Sequence, residues 1–421
     1  MTPKNHTKIL ILLSTLLAII ATAVFIITYC DLFDYFSLLA KQRLLDHPFL
    51  TFFVTPTLFW LSAYLCRKYS PNAAGNHLQS AITKLKKYPD NFEKVSPFLN
   101  ARLVIIKTIS SLISSFGGGA LGKEGPSVHM SAAIFTIFSQ RFKKFLPKIT
   151  LETWILAGSA VGLTLVFNAP IAGIIFICEK LVKIGYKNLK QDVLWALISV
   201  AIVTIIFHHI GPIFLFHEVS FEIKNLWQLM ILTAVICGFL SLAVKSLCNY
   251  FYLKISAIKS NWWHAAPLII GLVVAAINFH SGIYAFGGGI YTIQQTFFSD
   301  SVLLAHQEVW GRILNTILTF ASGSAGGLIA PAMTIGAGIG SIASTFAPSA
   351  DIGIFLLIGM AAFLSVMLGE PITAAFIILE TTGQNIAAVP FLLAAALIAF
   401  GSCRGFEKSR VKVQGWREDR S

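Results

Sequence analysis

The stretch Gly122-Lys123-Glu124-Gly125-Pro126 lies between the triplet Gly117-Gly118-Gly119 and an apolar run that begins at Val128. It sets a carboxylate beside a glycine and a proline where an apolar segment begins. Proline suits the first turn of a helix, where its missing N–H has no partner to lose. Glycine lets a backbone or a ligand come close. An ionisable side chain in apolar surroundings is costly, so Glu124 reads as functional by default.

The surroundings are apolar throughout. Of 421 residues, 56% are hydrophobic and only 12% charged, the mean hydropathy is +0.74, and several apolar runs approach the length of a membrane span. This predicts an all-α, polytopic membrane protein. The formal charge of +13 does not indicate nucleic-acid binding, because Lys and Arg stand in short blocks between apolar runs. Basic loops beside spans mark the cytoplasmic side. Cys30, Cys66, Cys178, Cys237, Cys248 and Cys403 are isolated, without CxxC spacing or a neighbouring His pair. They read as small apolar side chains, so neither a metal site nor a cofactor is expected. Lys4 and Lys8 precede an apolar segment from Ile9 to Tyr29, too long for the core of a signal peptide. It reads as an uncleaved first span with a cytoplasmic N-terminus.

Along the chain, a second apolar run spans Phe49 to Leu65, followed by a basic loop through Lys94. Within that loop the turn-forming run 71–77 leads into a helix-compatible segment, Leu78 to Leu85. Apolar runs follow over Leu103 to Phe116 and Val128 to Phe138. Trp154 to Glu179 is one apolar stretch divided at Asn168-Ala169-Pro170, which points to a broken or re-entrant pair of helices. Val193 to Ile210 and Leu226 to Leu247 are further spans, and Trp262-Trp263 reads as an interfacial anchor. The expected organisation is a tail and first helix over 1–32, a first membrane repeat over 33–212, a second over 213–403, and a short basic tail over 404–421 with no cytoplasmic regulatory domain.

The second half repeats the first. Gly158 to Glu179 aligns without gaps on Gly359 to Glu380, an offset of 201, with matches at Gly158/Gly359, Pro170/Pro371, Ile177/Ile378 and Glu179/Glu380. At an offset of 205, Gly122 to Pro126 falls on Gly327-Leu328-Ile329-Ala330-Pro331. Corresponding Gly/Pro-broken segments in two halves are the mark of a transporter whose binding site lies at the repeat interface. A helix that begins inside the membrane presents unpaired N–H groups and the positive end of its dipole, so it can hold an anion without a buried cation. Three such starts are candidates: Asn76 before Leu78, Glu124-Gly125-Pro126, and Leu328 to Pro331. A carboxylate at one of them is itself an anion, so Glu124 can occupy the site as a tethered competitor and leave it when protonated. Gly117 to Lys123 also fits the phosphate-loop pattern GxxxxGK, but Glu124 stands where Ser or Thr must hold magnesium. An intramembrane enzyme stays a remote alternative, since the chain shows no HExxH, no GxSxG and no paired Asp motif.

At these residues the sequence resembles the CLC family of chloride channels and proton-coupled chloride transporters. Gly122 to Pro126 is similar to the family's G(K/R)EGP, Gly327 to Pro331 to its GxFxP, and Asn168-Ala169-Pro170 to its NAP step. Gly287-Gly288-Gly289 and Arg312 fall where the family has similar glycines and a basic residue. The resemblance implies inverted repeats, a homodimer with one anion pathway per subunit, and Glu124 as the gating glutamate. It further implies that Gly125 and the N–H groups of Leu328 and Ile329 line the anion site.

This chain departs from the family at several points. Gly75-Asn76-His77 stands where the family has GSGIP, and an Asn there is similar to the fluoride-exporting branch. The position of the internal proton glutamate is Lys180, expected to snorkel to the cytoplasm. Glu179 is left either to carry protons in its place or to act structurally. No Tyr follows Tyr291, so Phe406 and Glu407 stand nearest the family's central tyrosine. His129 is expected to be packed or hydrogen-bonded. The resulting expectation is a chloride transporter, channel-like or proton-coupled, with fluoride export as the alternative. It should be seated among lipids of a bacterial-type inner membrane with both termini cytoplasmic.

Overall fold

A computed structural model describes residues 3–75, 78–88, 91–143, 150–184, 189–207, 218–219, 226–289, 292–293, 306–347 and 351–418. Among them there is no strand, and six helices are long and apolar enough to cross a membrane. The chain is an all-α, multi-pass membrane protein.

In chain order the helices are α1 (Pro3–Asp46), α2 (Thr51–Tyr69), α3 (Leu78–Lys87), α4 (Phe92–Val95), α5 (Ala101–Phe116), α6 (Glu124–Phe142), α7 (Leu151–Phe167) and α8 (Pro170–Ile184). They continue with α9 (Leu189–Phe207), α10 (Trp227–Ser256), α11 (Ala265–Ser281), α12 (His306–Ala321), α13 (Ile329–Ser344), α14 (Ile352–Leu368), α15 (Pro371–Thr381) and α16 (Val389–Glu418). The first helix does not end at Tyr29. It runs on to Asp46, past Asp31, Asp34 and Lys41, because Phe33, Ala40 and Leu44 keep one face of the extension buried.

The two broken stretches fold alike. α7 ends on Asn168 in the left-handed conformation (φ 46°), and α8 starts at Pro170. α14 ends on left-handed Gly369 (φ 83°), and α15 starts at Pro371. In both, a left-handed residue closes one helix and a proline opens the next, as their chemistry favours. Small residues set the packing beneath. A Cβ on Gly158 in α7 would stand 2.8 Å from Phe135 Cβ and Ser131 O of α6. Its repeat mate Gly359 in α14 meets the backbone of Gly336 in α13 in the same manner. Such backbone-to-backbone crossings are how helices pack where apolar solvent gives no hydrophobic drive.

At the expected interfacial anchor, residues 261–264 form a 3-10 turn, Trp262 is exposed, and Trp263 stacks on Tyr64 with ring centroids 6.3 Å apart.

Candidate anion site

Glu124 is the first residue of α6, and Ile329 the first of α13. The loops entering these helices are joined by their backbones: Gly122 N–H donates to Gly327 O at 2.9 Å, and Gly327 N–H to Gly122 O at 2.8 Å. This isolated antiparallel bridge links the two glycines that the repeat places in register. It brings two helix N-termini to one spot. A Cβ on Gly327 would stand 2.6 Å from Gly125 N, and one on Gly125 2.8 Å from Gly327 Cα, so the approach requires glycine on both sides.

Neither start is capped by the side chain of its own N-cap residue, Lys123 or Leu328. By contrast α5, α7 and α14 are capped by Asn100, Thr150 and Asp351. First-turn N–H groups and two dipole ends are therefore available at the junction. The Glu124 carboxylate is what lies there. The residue is 4% exposed, its carboxylate is within reach of the backbone N–H groups of Glu124 and Ala330, and Oε2 lies over Gly122. Oε2 has no hydrogen-bond partner among the described residues.

Two cavities are lined by adjacent residues here. The smaller, about 250 Å³, is lined by Glu124, Gly122, Lys123, Asp34 and the glycines 287–289. The larger, about 630 Å³, is lined by Gly75, Leu78, Gly125, Gly327, Leu328 and Ile329. Glu124 faces one cavity and Gly125 the other, so a single residue step separates them.

The structure thus gathers Gly125, Leu328 and Ile329 on one wall, with Glu124 at the partition. Asn76 lies outside the described residues; its neighbours Gly75 and Leu78 line the same larger cavity. Glu179 is elsewhere. Its Oε1 accepts from Ile372 N–H at 3.1 Å, and its Oε2 accepts from Thr373 N–H at 2.7 Å and Thr373 Oγ1 at 2.5 Å. It caps α15. Glu380 caps α8 reciprocally, accepting from Ile171 N–H at 3.0 Å and Ala172 N–H at 2.7 Å. Reciprocal contacts between repeat mates are what a pseudo-two-fold relation produces.

Lys180 differs from expectation. It is 9% exposed and ion-paired at 2.8 Å with Glu370, which is 2% exposed and stands just before α15. Because Glu179 already caps α15, the Glu370 carboxylate is available to hold Lys180 and, at 3.1 Å, Lys183. A buried carboxylate within reach outweighs snorkelling. Phe406 and Glu407 lie on α16, in a stretch whose side chains are outside the described set. His129 is buried, with Nε2 hydrogen-bonded to Phe98 O at 2.9 Å.

Several supporting residues were not singled out from sequence. Lys107, buried in α5, donates to Ala73 O at 2.6 Å and Gly75 O at 3.2 Å, fixing the loop that precedes Asn76. A lone cation in an apolar run was the available signal. Asn278 donates to Gly118 O at 3.0 Å, and Asn315 donates to Asn278 Oδ1 and Ala285 O at 2.8 Å each. They pin the glycine triplet of the first repeat to helices of the second. Asp34, on the extension of α1, pairs with Lys123 at 2.5 Å beside the smaller cavity. Arg312, which the family resemblance did mark, is 2% exposed and donates to the carbonyls of Tyr284 (2.7 Å), Phe286 (2.7 Å) and Gly287 (3.1 Å). It shapes the glycine segment that walls the smaller cavity.

Broken helices in two related halves, meeting at uncapped N-termini with an acid between two cavities, define a membrane transport protein. The family described as voltage gated chloride channel matches residues 58–404, and the chain belongs to this family, the CLC family. A curated relative, the H(+)/Cl(−) exchange transporter ClcA of Vibrio parahaemolyticus, is 26% identical over 354 residues, covering 81% of this chain and 73% of its own length. The voltage-gated ClC-type chloride channel ClcB of Escherichia coli is 26% identical over 307 residues, covering 70% and 71%. Among solved structures, a slow cyanobacterial Cl⁻/H⁺ antiporter is similar at a TM-score of 0.75 and 19% identity, over 94% of both chains. A CLC-type fluoride/proton antiporter is similar at 0.76 and 19%, over 95% of this chain and 96% of its own. At such identities the structures establish a shared fold. The chain is a transporter or channel by family and not an enzyme.

Proposed function

We propose that this protein carries chloride across the membrane along the path joining the two cavities, with Glu124 as the gate. The observation that carries the reading is the Glu124 carboxylate at two convergent helix starts, lining one cavity while the next residue, Gly125, lines the other. A carboxylate there holds the place of the permeant anion. Protonation removes its charge and its claim on the N–H groups, so the site opens to chloride as a proton is taken up. Gly125, Leu328 and Ile329 supply the main-chain contacts, and Asn76 an amide donor. The exchanger activity named for ClcA supports proton coupling.

Glu179 is engaged by α15 and serves as a structural cap; it does not face the path. The protein functions as a homodimer in a bacterial-type inner membrane with both termini cytoplasmic. A second reading, channel-like chloride conduction without proton exchange, is favoured by the ion pair that Lys180 forms with Glu370.

The test is a liposome assay with a chloride gradient and a pH-sensitive dye. Protons driven uphill by chloride, and lost in Glu124→Gln, support the exchanger. Chloride flux without proton movement supports the channel-like reading. Fluoride flux without chloride flux overturns both.

A further inference from the structure

The larger cavity carries charge that a chloride site of main-chain N–H groups does not need. Among the described residues its lining holds five cationic side chains, Lys107, Lys180, Lys183, Lys245 and Arg404, against one carboxylate, Glu370. They come from four helices, α5, α8, α10 and α16, and those of α8 and α10 meet the α14–α15 corner. Glu370 Oε1 gathers Lys180 and Lys183 at 2.8 and 3.1 Å. Lys245 Nζ donates to Val366 O at 2.9 Å, at the last turn of α14. Lys107 is held by the carbonyls of Ala73 and Gly75. Lys183 and Arg404 are exposed.

A concave wall with such an excess of one sign focuses field and concentrates anions of the opposite sign. The space, about 630 Å³, is also far larger than one monatomic ion needs, being within the range of roughly 300–1,000 Å³ typical of small-molecule sites. Lysine ammoniums are compact point charges suited to phosphate oxygens.

We propose that the larger cavity binds a soluble, multivalent, phosphate-bearing anion through Lys180, Lys183, Lys245 and Arg404, and that this anion blocks access to Gly125, Leu328 and Ile329. The blocking step rests on the chloride-path reading; the binding step does not.

Pyrophosphate is the probe, titrated into the purified full-length protein by calorimetry at low and high salt. Wild type binds, with affinity that falls as salt screens the cavity. The K183Q/K245Q/R404Q variant binds about tenfold or more weakly, roughly 1.4 kcal/mol, whereas K41Q at the smaller cavity is unchanged. No binding by wild type, or unweakened binding in the triple variant, overturns the inference. If the triple variant does not fold, R404Q alone, at an exposed position, must weaken binding measurably. Chloride flux is followed in parallel: pyrophosphate that binds without slowing flux overturns the block. Binding in a protein that passes no chloride keeps the site and removes the chloride reading.

Discussion

Glu179 and Glu380, 201 positions apart, hold each other's half in place: each carboxylate receives the first N–H groups of the helix that opens with the other repeat's proline. The broken helices α8 and α15 therefore begin against one another, each completed by an acid from across the pseudo-two-fold.

Removing one acid exposes the first turn of the opposite helix. Glu179→Ala is expected to cost about 1–2 kcal/mol, the usual worth of a lost N-cap, read as a lower thermal unfolding midpoint of purified protein. Glu179→Gln, which keeps one acceptor oxygen, should lose less. Both variants should retain the anion and proton fluxes of wild type. A folded Glu179→Gln that moves chloride but no longer moves protons would make Glu179 a proton carrier.

Glu124→Gln places a permanently neutral side chain at the partition. Wild-type chloride flux should rise as pH falls, since protonation clears the site, and the variant should show flux independent of pH. Persistence of the pH dependence would move the gate to another residue.

Gly122→Ala sets a methyl against Glu124 Oε2 and 3.0 Å from Ala330 Cβ. The carboxylate is the flexible partner and must move, so the variant should fold and show a weakened pH dependence. Gly327→Ala meets backbone, Gly125 N at 2.6 Å. It should fail to give stable protein, and normal yield and unfolding of Gly327→Ala would contradict the close approach described for this junction.

Lys107→Met strands two buried carbonyls, a loss of about 1–3 kcal/mol, and frees the loop before Asn76. A changed chloride-to-fluoride flux ratio is expected, matching in direction that of Asn76→Ser. An unchanged ratio in both would place selectivity elsewhere.

Much of this was readable in the one-dimensional pattern. Pro170 and Pro371 announced two broken stretches because proline cannot continue a helix, and the gapless offset between them carried the repeat. Glu124 stood out as an acid where an apolar segment begins. The ion pair of Lys180 with Glu370 was not readable, since its partners are 190 positions apart and Glu370 is available only because Glu179 caps its helix. The reach of α1 to Asp46 was hidden too, because a helix that leaves the apolar layer keeps its buried face through tertiary contacts that hydropathy does not record. The network of Asn278 and Asn315 with Gly118 O looked like scattered polar residues until folding brought the two repeats together.

The bridge between Gly122 and Gly327 has an evolutionary consequence. The junction is made by main-chain groups, so the side chains beside it, Leu328 and Ile329, can be exchanged so long as two glycines keep their appointment. Lineages of this architecture can retune which ion they admit by exchanging the residues beside the junction, without rebuilding the junction itself.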